Sequence, residues 1–308
     1  MTSASFIFNA LALSGLVSLA SPAPQQGPRG NTDTRIDTTF AFDPSGEVTL
    51  ALPAGEIRVT GWARNQARVI AVTERGALVS SFSRNRLRVE IRGRNTGRAR
   101  YEVTVPFGAR IDASTGSGDI NVAGTRSRVA LTTANGTITA SDLKGRSEVE
   151  SAAGNVSLQR VDGTTKISAL IGTITIGEIT GDLEIEQVRG STRIESADLT
   201  GFRFQAVGGD VDVDGVFSAN GKHTIETMSG NVTLRVPANF GATFQLETFS
   251  GELHAPDFAL MLRPTSGNEK GRNSDRREYS INGGGAHITI GTFSGTVTVR
   301  KHGGTVRR

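Results

Sequence analysis

The stretch Gly118-Asp119-Ile120-Asn121-Val122 decides the fold, because its pattern returns four more times at intervals of 18 residues. The five recurring glycines are Gly118, Gly136, Gly154, Gly172 and Gly190. The second residue after each glycine is aliphatic or threonine, and the fourth is aliphatic. Alternation with a period of two predicts a half-buried strand, and its return at one spacing predicts stacked copies of one structural unit.

A second strand fits into each repeat, marked by Val129, Val149, Ile167 and Leu183. Turns that contain further glycines separate the two strands. Stacked coils complete one another's backbone hydrogen bonds, so each strand needs only one inward row of apolar side chains. We therefore predict an all-β fold, a single-stranded, β-helix-like β-solenoid with two-strand coils of about 18 residues, preceded by an irregular N-terminal β cap.

Composition agrees with a repeat of this kind. The chain has 308 residues with 38 Gly, 6% aromatic residues, 36% hydrophobic residues and no Cys. A conventional core would need more large apolar residues than a solenoid does. The lack of Cys excludes a lipoprotein anchor and a disulfide framework, which a stacked ladder does not need.

The N-terminal part of the chain predicts export. Residues 1–28 carry no charge, and an apolar run from Phe6 to Ala20 ends in the small-x-small site Ser18-Leu19-Ala20. The run is shorter than a membrane-spanning helix needs, so we predict a signal peptide over residues 1–23 and no transmembrane helix after its cleavage. An uncleaved anchor or a buried helix is the alternative for this run.

The other predicted boundaries follow from composition and alternation. Residues 24–35 are rich in Pro, Gln, Gly and Asn and are predicted to be a disordered linker. An irregular cap or a set of imperfect first coils over 36–110 precedes a repeat array over 111–302. The charged stretch 263–278 is predicted to be an exposed insertion, and residues 303–308 form a basic tail.

Three phrases carry a resemblance to a known family: Thr227-Met228-Ser229-Gly230-Asn231-Val232, Thr248-Phe249-Ser250-Gly251-Glu252-Leu253 and Thr292-Phe293-Ser294-Gly295-Thr296-Val297. They resemble the T-x-S-G-[DN]-[IV] repeats of the bacterial putative-adhesin β-strand-repeat family. The resemblance covers roughly residues 36–302 and implies a cell-envelope β-solenoid without established catalytic residues. Two strands that run into a proline, at Val105-Pro106 and Val236-Pro237, look like the same family.

A row of arginines is the first candidate site. Arg86, Arg88, Arg92 and Arg94 share one parity on a predicted strand, and the chain carries a formal net charge of +4. Such a row could bind an anionic glycan, a lipid headgroup or, without sequence specificity, nucleic acid. The simpler interpretation is a solvated outer face in an arginine-rich chain, which we favour because no aromatic residues interleave the row.

A second candidate is the acidic strand that carries Asp210, Asp212 and Asp214. Three carboxylates on one strand face are a weak candidate for a calcium site. The segment occurs only once and lacks the paired glycines of calcium-binding β-rolls, so we expect outward, solvated side chains instead.

Other chemical motifs are missing or incomplete. The four histidines show no metal-ligand spacing, and no G-x-S-x-G elbow is present. The stretch Gly215 to His223 has one residue too many for a phosphate loop and a His where Ser or Thr is needed. We predict no cofactor, no metal and no specific nucleic-acid ligand. A polysaccharide-active β-helix enzyme remains an alternative, with Trp62, Tyr101 and Tyr279 as its available polar-tipped aromatic residues.

These observations together predict an exported, non-enzymatic β-solenoid in the periplasm, at the cell surface or outside the cell. It would present a surface for adhesion or for protein or glycan interaction, with an anionic glycan, a lipid headgroup or an envelope protein as partner. A scaffold or sensor that partners a membrane regulator is a further alternative. The sequence does not predict an oligomeric state.

Overall fold

The computed structural model describes residues 34–94, 96–248, 252–263 and 275–302. All regular secondary structure in these ranges is β, and 22 strands join one hydrogen-bonded sheet that winds into a solenoid. Among the described residues, no helix has the length and apolar character needed to cross a membrane. The predicted all-β solenoid is confirmed.

The strands fall into three groups along the chain. The N-terminal group is β1 (Arg35–Ala41), β2 (Glu47–Trp62), β3 (Gln66–Thr73), β4 (Ala77–Phe82), β5 (Arg86–Arg92) and β6 (Ala99–Pro106). The central group is β7 (Arg110–Thr125), β8 (Val129–Asn135), β9 (Ile138–Ala153), β10 (Val156–Ile171), β11 (Ile174–Ile176), β12 (Ile179–Arg189), β13 (Thr192–Gly208), β14 (Val211–Phe217), β15 (His223–Ser229) and β16 (Val232–Val236). The C-terminal group is β17 (Ala242–Thr248), β18 (Glu252–His254), β19 (Met261–Arg263), β20 (Asp275–Ile281), β21 (Ala286–Ser294) and β22 (Thr296–Lys301).

The central coils stack in parallel with the register that the glycine spacing predicts. Ile138 pairs with Val156, which pairs with Ile174, and all three side chains are fully buried. The segment between the two predicted strands is paired in register as well, as in Val161 with Ile179. This short third side also points an aliphatic residue inward, so each coil closes around one continuous apolar core.

The glycine at the corner of each coil is required by close backbone approach. Gly172 has a φ of 145°, and a Cβ atom placed on it would lie 1.9 Å from the carbonyl oxygen of Gly154 in the neighbouring coil. An L side chain is disfavoured by both the conformation and the contact. The glycine therefore recurs every 18 residues because successive corners stack too closely for any larger residue.

The N-terminal group contains one complete coil and a cap. β2 stacks in parallel on β7, with Gly55 against Gly118, so the glycine ladder begins one coil before the regular spacing. β5 and β6 pair with the other side of β2. β1, β3 and β4 are antiparallel, which ends the parallel ladder on this side.

The C-terminal coils do not stack in sequence order. β21 and β22 lie directly on β15 and β16, and β17 and β18 lie outside them. The order of the coils in the stack therefore differs from their order in the sequence, because the coil that contains Gly295 follows the coil that contains Gly230. The last coil in the sequence is inserted between two earlier ones.

Several predicted boundaries change. Arg35, the last residue of the linker predicted over 24–35, is in β1 and pairs with Val72. Both ends of the insertion predicted over 263–278 are in strands, since Arg263 ends β19 and residues 275–278 start β20, which pairs antiparallel with β17. Residues 1–33, which include the predicted signal peptide, 264–274 and the predicted tail 303–308 lie outside the described residues.

Candidate functional site

The repeated phrase T-x-S-G builds one corner of the coil, and this corner turns its second residue outward. Thr227 is buried, and its hydroxyl donates to the Ser229 carbonyl at 3.2 Å. The Ser229 hydroxyl donates to the Val207 carbonyl of the neighbouring coil at 3.3 Å. Gly230 then makes the turn with a φ of 136°. Met228 is left on the surface with 60% of its area exposed.

Equivalent positions in successive coils form a continuous line of apolar side chains, here called the apolar stripe. Gln187 pairs with Ala206 and Arg189 with Gly208, so Val188 between them lies on Val207. The pairing of the flanking residues places each member of the stripe on the next in the same way. The members are Ala134, Ala152, Leu170, Val188, Val207, Met228 and Phe293. At about 4.8 Å per coil the stripe is about 29 Å long.

The apolar stripe is unusual because its larger members are exposed. The exposed fractions are 54% for Leu170, 43% for Val188, 50% for Val207, 60% for Met228 and 58% for Phe293. Single exposed apolar residues are common on protein surfaces, but a contiguous line of them marks an interaction site. The solenoid core does not need these residues, since its inward rows are filled by others.

A groove of about 1170 Å³ runs beside the apolar stripe. The stripe forms one wall, and the residues two positions earlier in each coil form the opposite wall. This opposite wall is here called the acidic wall and consists of Thr132, Glu150, Ser168, Glu186, Gln205, Glu226, Gly291 and Glu247. The described residues that line the groove include four glutamates and no lysine, arginine or histidine. An acidic groove therefore lies on a chain of net positive charge.

The glutamates differ in their neighbours. Glu186 accepts a hydrogen bond from Lys166 at 3.0 Å, and this bond lowers its pKa against the opposing effect of burial. Glu226 accepts a hydrogen bond from the side-chain amide of Gln205 at 2.6 Å. Glu150 makes no ion pair with the described residues. The acidic wall is thus only partly neutralised by the protein itself.

Two hydroxyls beneath the groove lack a hydrogen-bond partner. Thr115 is 5% exposed and Ser151 is 4% exposed, and within the described structure their hydroxyl oxygens have no partner. A buried polar group without a partner is costly and is uncommon in folded proteins. Both hydroxyl oxygens are themselves buried and belong to the inward rows of β7 and β9, so they lie beneath the floor of the groove and are not open to a ligand.

The predicted arginine row lies on β5, where nearby glutamates neutralise much of its charge. Glu90 lies on the same face and pairs with Arg88 at 3.0 Å and with Arg92 at 2.7 Å. Arg86 lies 3.5 Å from Glu47. Arg94 does not continue the row, because β5 ends at Arg92. Anion binding by these arginines stays a prediction.

The three aspartates are each engaged by the protein. Asp210 accepts from the backbone N–H of Asn231 at 2.8 Å, which explains why Asp or Asn follows the corner glycine. Asp212 pairs with Arg235, and Asp214 contacts His302. No group of three acidic or histidine side chains suited to a metal ion occurs among the described residues. The weak calcium candidate gains no support from these contacts.

The near-miss phosphate loop also has a structural explanation. His223 is buried, its ring packs edge-on against Phe217, and its Nε2 atom lies 2.8 Å from the Ser218 carbonyl. Burial lowers the pKa of His223 against the effect of that hydrogen bond. This histidine is part of the core and does not face an open phosphate site.

Two of the aromatic candidates for a sugar platform are occupied. Tyr101 is fully buried and donates its hydroxyl to the Ala51 carbonyl at 3.2 Å, and burial raises its pKa. Trp62 donates its ring N–H to the Gln66 carbonyl at 2.7 Å, and Arg64 covers its ring. Tyr101 is therefore closed to sugar stacking, and Arg64 occupies one face of the Trp62 ring.

Sequence reasoning missed the groove. The signal lay two residues before the corner glycine, at a position that is apolar in every coil from Ala134 to Phe293, although only some of these coils read T-x-S-G. Simple alternation could not identify it, because Thr227 points inward while both Met228 and Ser229 are exposed, and the alternation breaks at this corner.

A comparison with family models finds a match to Toastrack DUF4097 over residues 45–300. The chain belongs to this family. The Toastrack match covers the N-terminal coil β2, the central coils and most of the last strand. It agrees with the resemblance found in the sequence, which likewise concerns a β-repeat family of unknown function. A search of curated proteins finds no match.

Comparison with solved structures gives distant likenesses to this Toastrack chain. A "putative lipid binding protein" from Parabacteroides distasonis has 9% identity and a TM-score of 0.45, with 88% of this chain and 98% of that chain covered. A "putative adhesin" from Bacteroides fragilis has 13% identity and a TM-score of 0.37, with 87% and 97% covered. A "putative cell adhesion protein" from Clostridium sporogenes has 13% identity and a TM-score of 0.19, with 87% and 100% covered. With TM-scores below 0.5, these likenesses carry no argument about this chain.

Proposed function

We propose that this protein is an exported, non-enzymatic β-solenoid that holds an elongated partner in the groove beside the apolar stripe. Adhesion or protein or glycan interaction in the cell envelope is the role that such a surface would serve. The observation that carries the proposal is the exposed line from Leu170 to Phe293, which spans coils that are distant in sequence. A line of this length suits an extended ligand better than a compact one.

The electrostatics of the carboxyl groups favour binding over catalysis. A glycoside hydrolase needs one carboxylic acid whose pKa is raised so that it can donate a proton. Among the described residues, each carboxyl group with a shifted pKa is shifted downward. The largest single cause is a hydrogen bond from Arg or Lys for Glu56, Asp142, Glu148 and Glu186. For Glu90 burial is the largest single influence on the pKa and acts upward, but its two arginine neighbours together outweigh it.

A neutral apolar dye tests whether the stripe is an accessible binding surface. Nile red should bind the full-length mature protein saturably, with a blue shift of its emission, because the groove removes it from water. Replacing Val188 and Val207 by Glu should abolish this binding. Val216 gives a matched control, since it is 42% exposed against 43% for Val188 but does not line the groove. Equal loss in Val216→Glu would contradict the proposal.

A further inference from the structure

We infer that the partner in the groove is an extended, cationic polypeptide segment, with Lys or Arg at every third residue and apolar residues between them. This inference rests on the proposed function and adds the chemistry of the ligand. It is carried by the spacing of the glutamates and by the narrow cross-section of the groove.

The glutamates of the acidic wall recur in every second coil. Glu150 pairs with Ser168, which pairs with Glu186, and the same alternation continues through Gln205 and Glu226. In the next two coils of the stack Glu226 pairs with Gly291, and Gly291 pairs with Glu247, which is the last glutamate of the series. With about 4.8 Å between coils, successive carboxylates are about 9.6 Å apart along the groove.

This spacing matches one backbone conformation better than the others. A polyproline II chain rises about 3.1 Å per residue and repeats every three residues, so one face returns after about 9.3 Å. A β-strand returns to the same side after about 6.6 Å. An α-helix brings a residue back to one face after seven residues, or about 10.5 Å. Over three intervals the polyproline II chain stays in register with the four glutamates, and the helix drifts by about 3 Å.

The size of the groove points in the same direction. The residues that line the groove come from nine successive coils, from Thr115 to Glu247, so the groove is about 38 Å long and its volume of about 1170 Å³ leaves a cross-section of about 30 Å². An α-helix with its side chains is about 10 Å across and has a cross-section of about 80 Å², so it would rest on the rim. A single extended chain fits inside, with one face toward the glutamates and another toward Leu170, Val188 and Val207.

A synthetic peptide of four Lys-Leu-Pro repeats tests the inference. Its lysines would face the acidic wall, its leucines the apolar stripe, and its prolines would favour the extended conformation. Labelled peptide should bind the full-length mature protein at low salt by fluorescence anisotropy, and high salt should weaken the binding because exposed charges are screened. The double variant Glu150→Gln with Glu226→Gln should bind about tenfold more weakly, given the modest contribution of each exposed ion pair.

The controls separate this inference from the proposed function. Glu195→Gln removes an exposed carboxylate outside the groove and should leave peptide binding unchanged. A peptide of four Glu-Leu-Pro repeats should not bind. If Nile red binds as expected but the cationic peptide does not, or if the acidic peptide binds equally well, the cationic partner is excluded while the groove remains a binding surface. Displacement of Nile red by oleate but not by the peptide would assign the groove to an acyl chain and overturn the inference.

Discussion

The backbone N–H of Thr296 donates a hydrogen bond of 3.1 Å to the side-chain oxygen of Asn231, across 65 residues of chain. The bond joins the last coil of the sequence to the coil of β15 and β16 and repeats the contact between Asn231 and Asp210 one coil earlier. It fixes the register in which Phe293 falls on Met228. The length of the apolar stripe therefore depends on this non-sequential insertion.

The corner glycines give the first stability prediction. Gly172→Ala should lower the free energy of unfolding by about 3 kcal/mol or more, because the new Cβ atom would clash with the Gly154 carbonyl at a positive φ. Gly291→Ala is the control, since its nearest neighbour would be Glu226 Cγ at 3.7 Å. Chemical denaturation should show no loss there. Equal destabilisation of the two variants would contradict the close stacking of corners.

The inward register gives a second prediction. Ile174→Asp should cost several kcal/mol, because Ile174 is fully buried between Val156 and Thr192 and a carboxylate there has no partner. Thr173→Asp should be nearly silent in chemical denaturation. Thr173 is exposed and occupies the corner position that Asp119 and Asp210 fill in other coils. A larger loss in Thr173→Asp than in Ile174→Asp would mean that the strand faces are exchanged, and similar losses would contradict the assigned inward row.

The ion pairs of the N-terminal coil predict a pH dependence. A hydrogen bond from Arg100 lowers the pKa of Glu56 below 4.5, against the opposing effect of burial. A lowered pKa in the folded state gives stability that is present above the unfolded pKa and lost as the pH falls through the folded value. Glu56→Gln should therefore lower the free energy of unfolding by about 1 kcal/mol at neutral pH, and the difference should vanish in acid.

The same substitution in an Arg100→Gln background checks the cause. Without Arg100, the loss of stability caused by Glu56→Gln should shrink at neutral pH, because the main hydrogen bond to the carboxylate is already gone. A pH-independent effect of Glu56→Gln in both backgrounds would rule out this ion pair as its source.

Export is predicted from the N-terminal sequence, which lies outside the described residues. The uncharged apolar run from Phe6 to Ala20 should be removed, so the mature protein should begin near Ser21 to Pro24. N-terminal sequencing of the protein from fractionated native cells measures this directly. An intact Met1 terminus in the soluble cytoplasmic fraction would contradict both export and an envelope role.

The sequence predicted the repetitive part of the fold well and its ends poorly. Ile138, Val156 and Ile174 stack as the spacing indicates, because one glycine interval maps onto one coil. The C-terminal order could not be obtained in this way. The sequences that end at Gly230, Gly251 and Gly295 all read T-x-S-G. Because the local pattern is the same, it is compatible with several stacking orders of these coils.

The candidate site was less predictable than the fold. The arginines of β5 stand out in the sequence, but their carboxylate partners Glu90 and Glu47 become visible only when the strands are paired. The groove residues, in contrast, do not stand out in the sequence. Leu170, Val207 and Phe293 are ordinary apolar residues in the sequence, and only the corner geometry turns them outward into one line.

The methionines provide the most direct test of the groove as the binding surface. The chain has three, and after removal of the N-terminal segment only Met228 and Met261 remain. Both are exposed, at 60% and 64%, but only Met228 lines the groove. In NMR spectra of methyl-labelled mature protein, addition of Nile red should shift the Met228 resonance saturably and leave the Met261 resonance in place. Equal shifts of both resonances, or a shift of Met261 alone, would contradict the account.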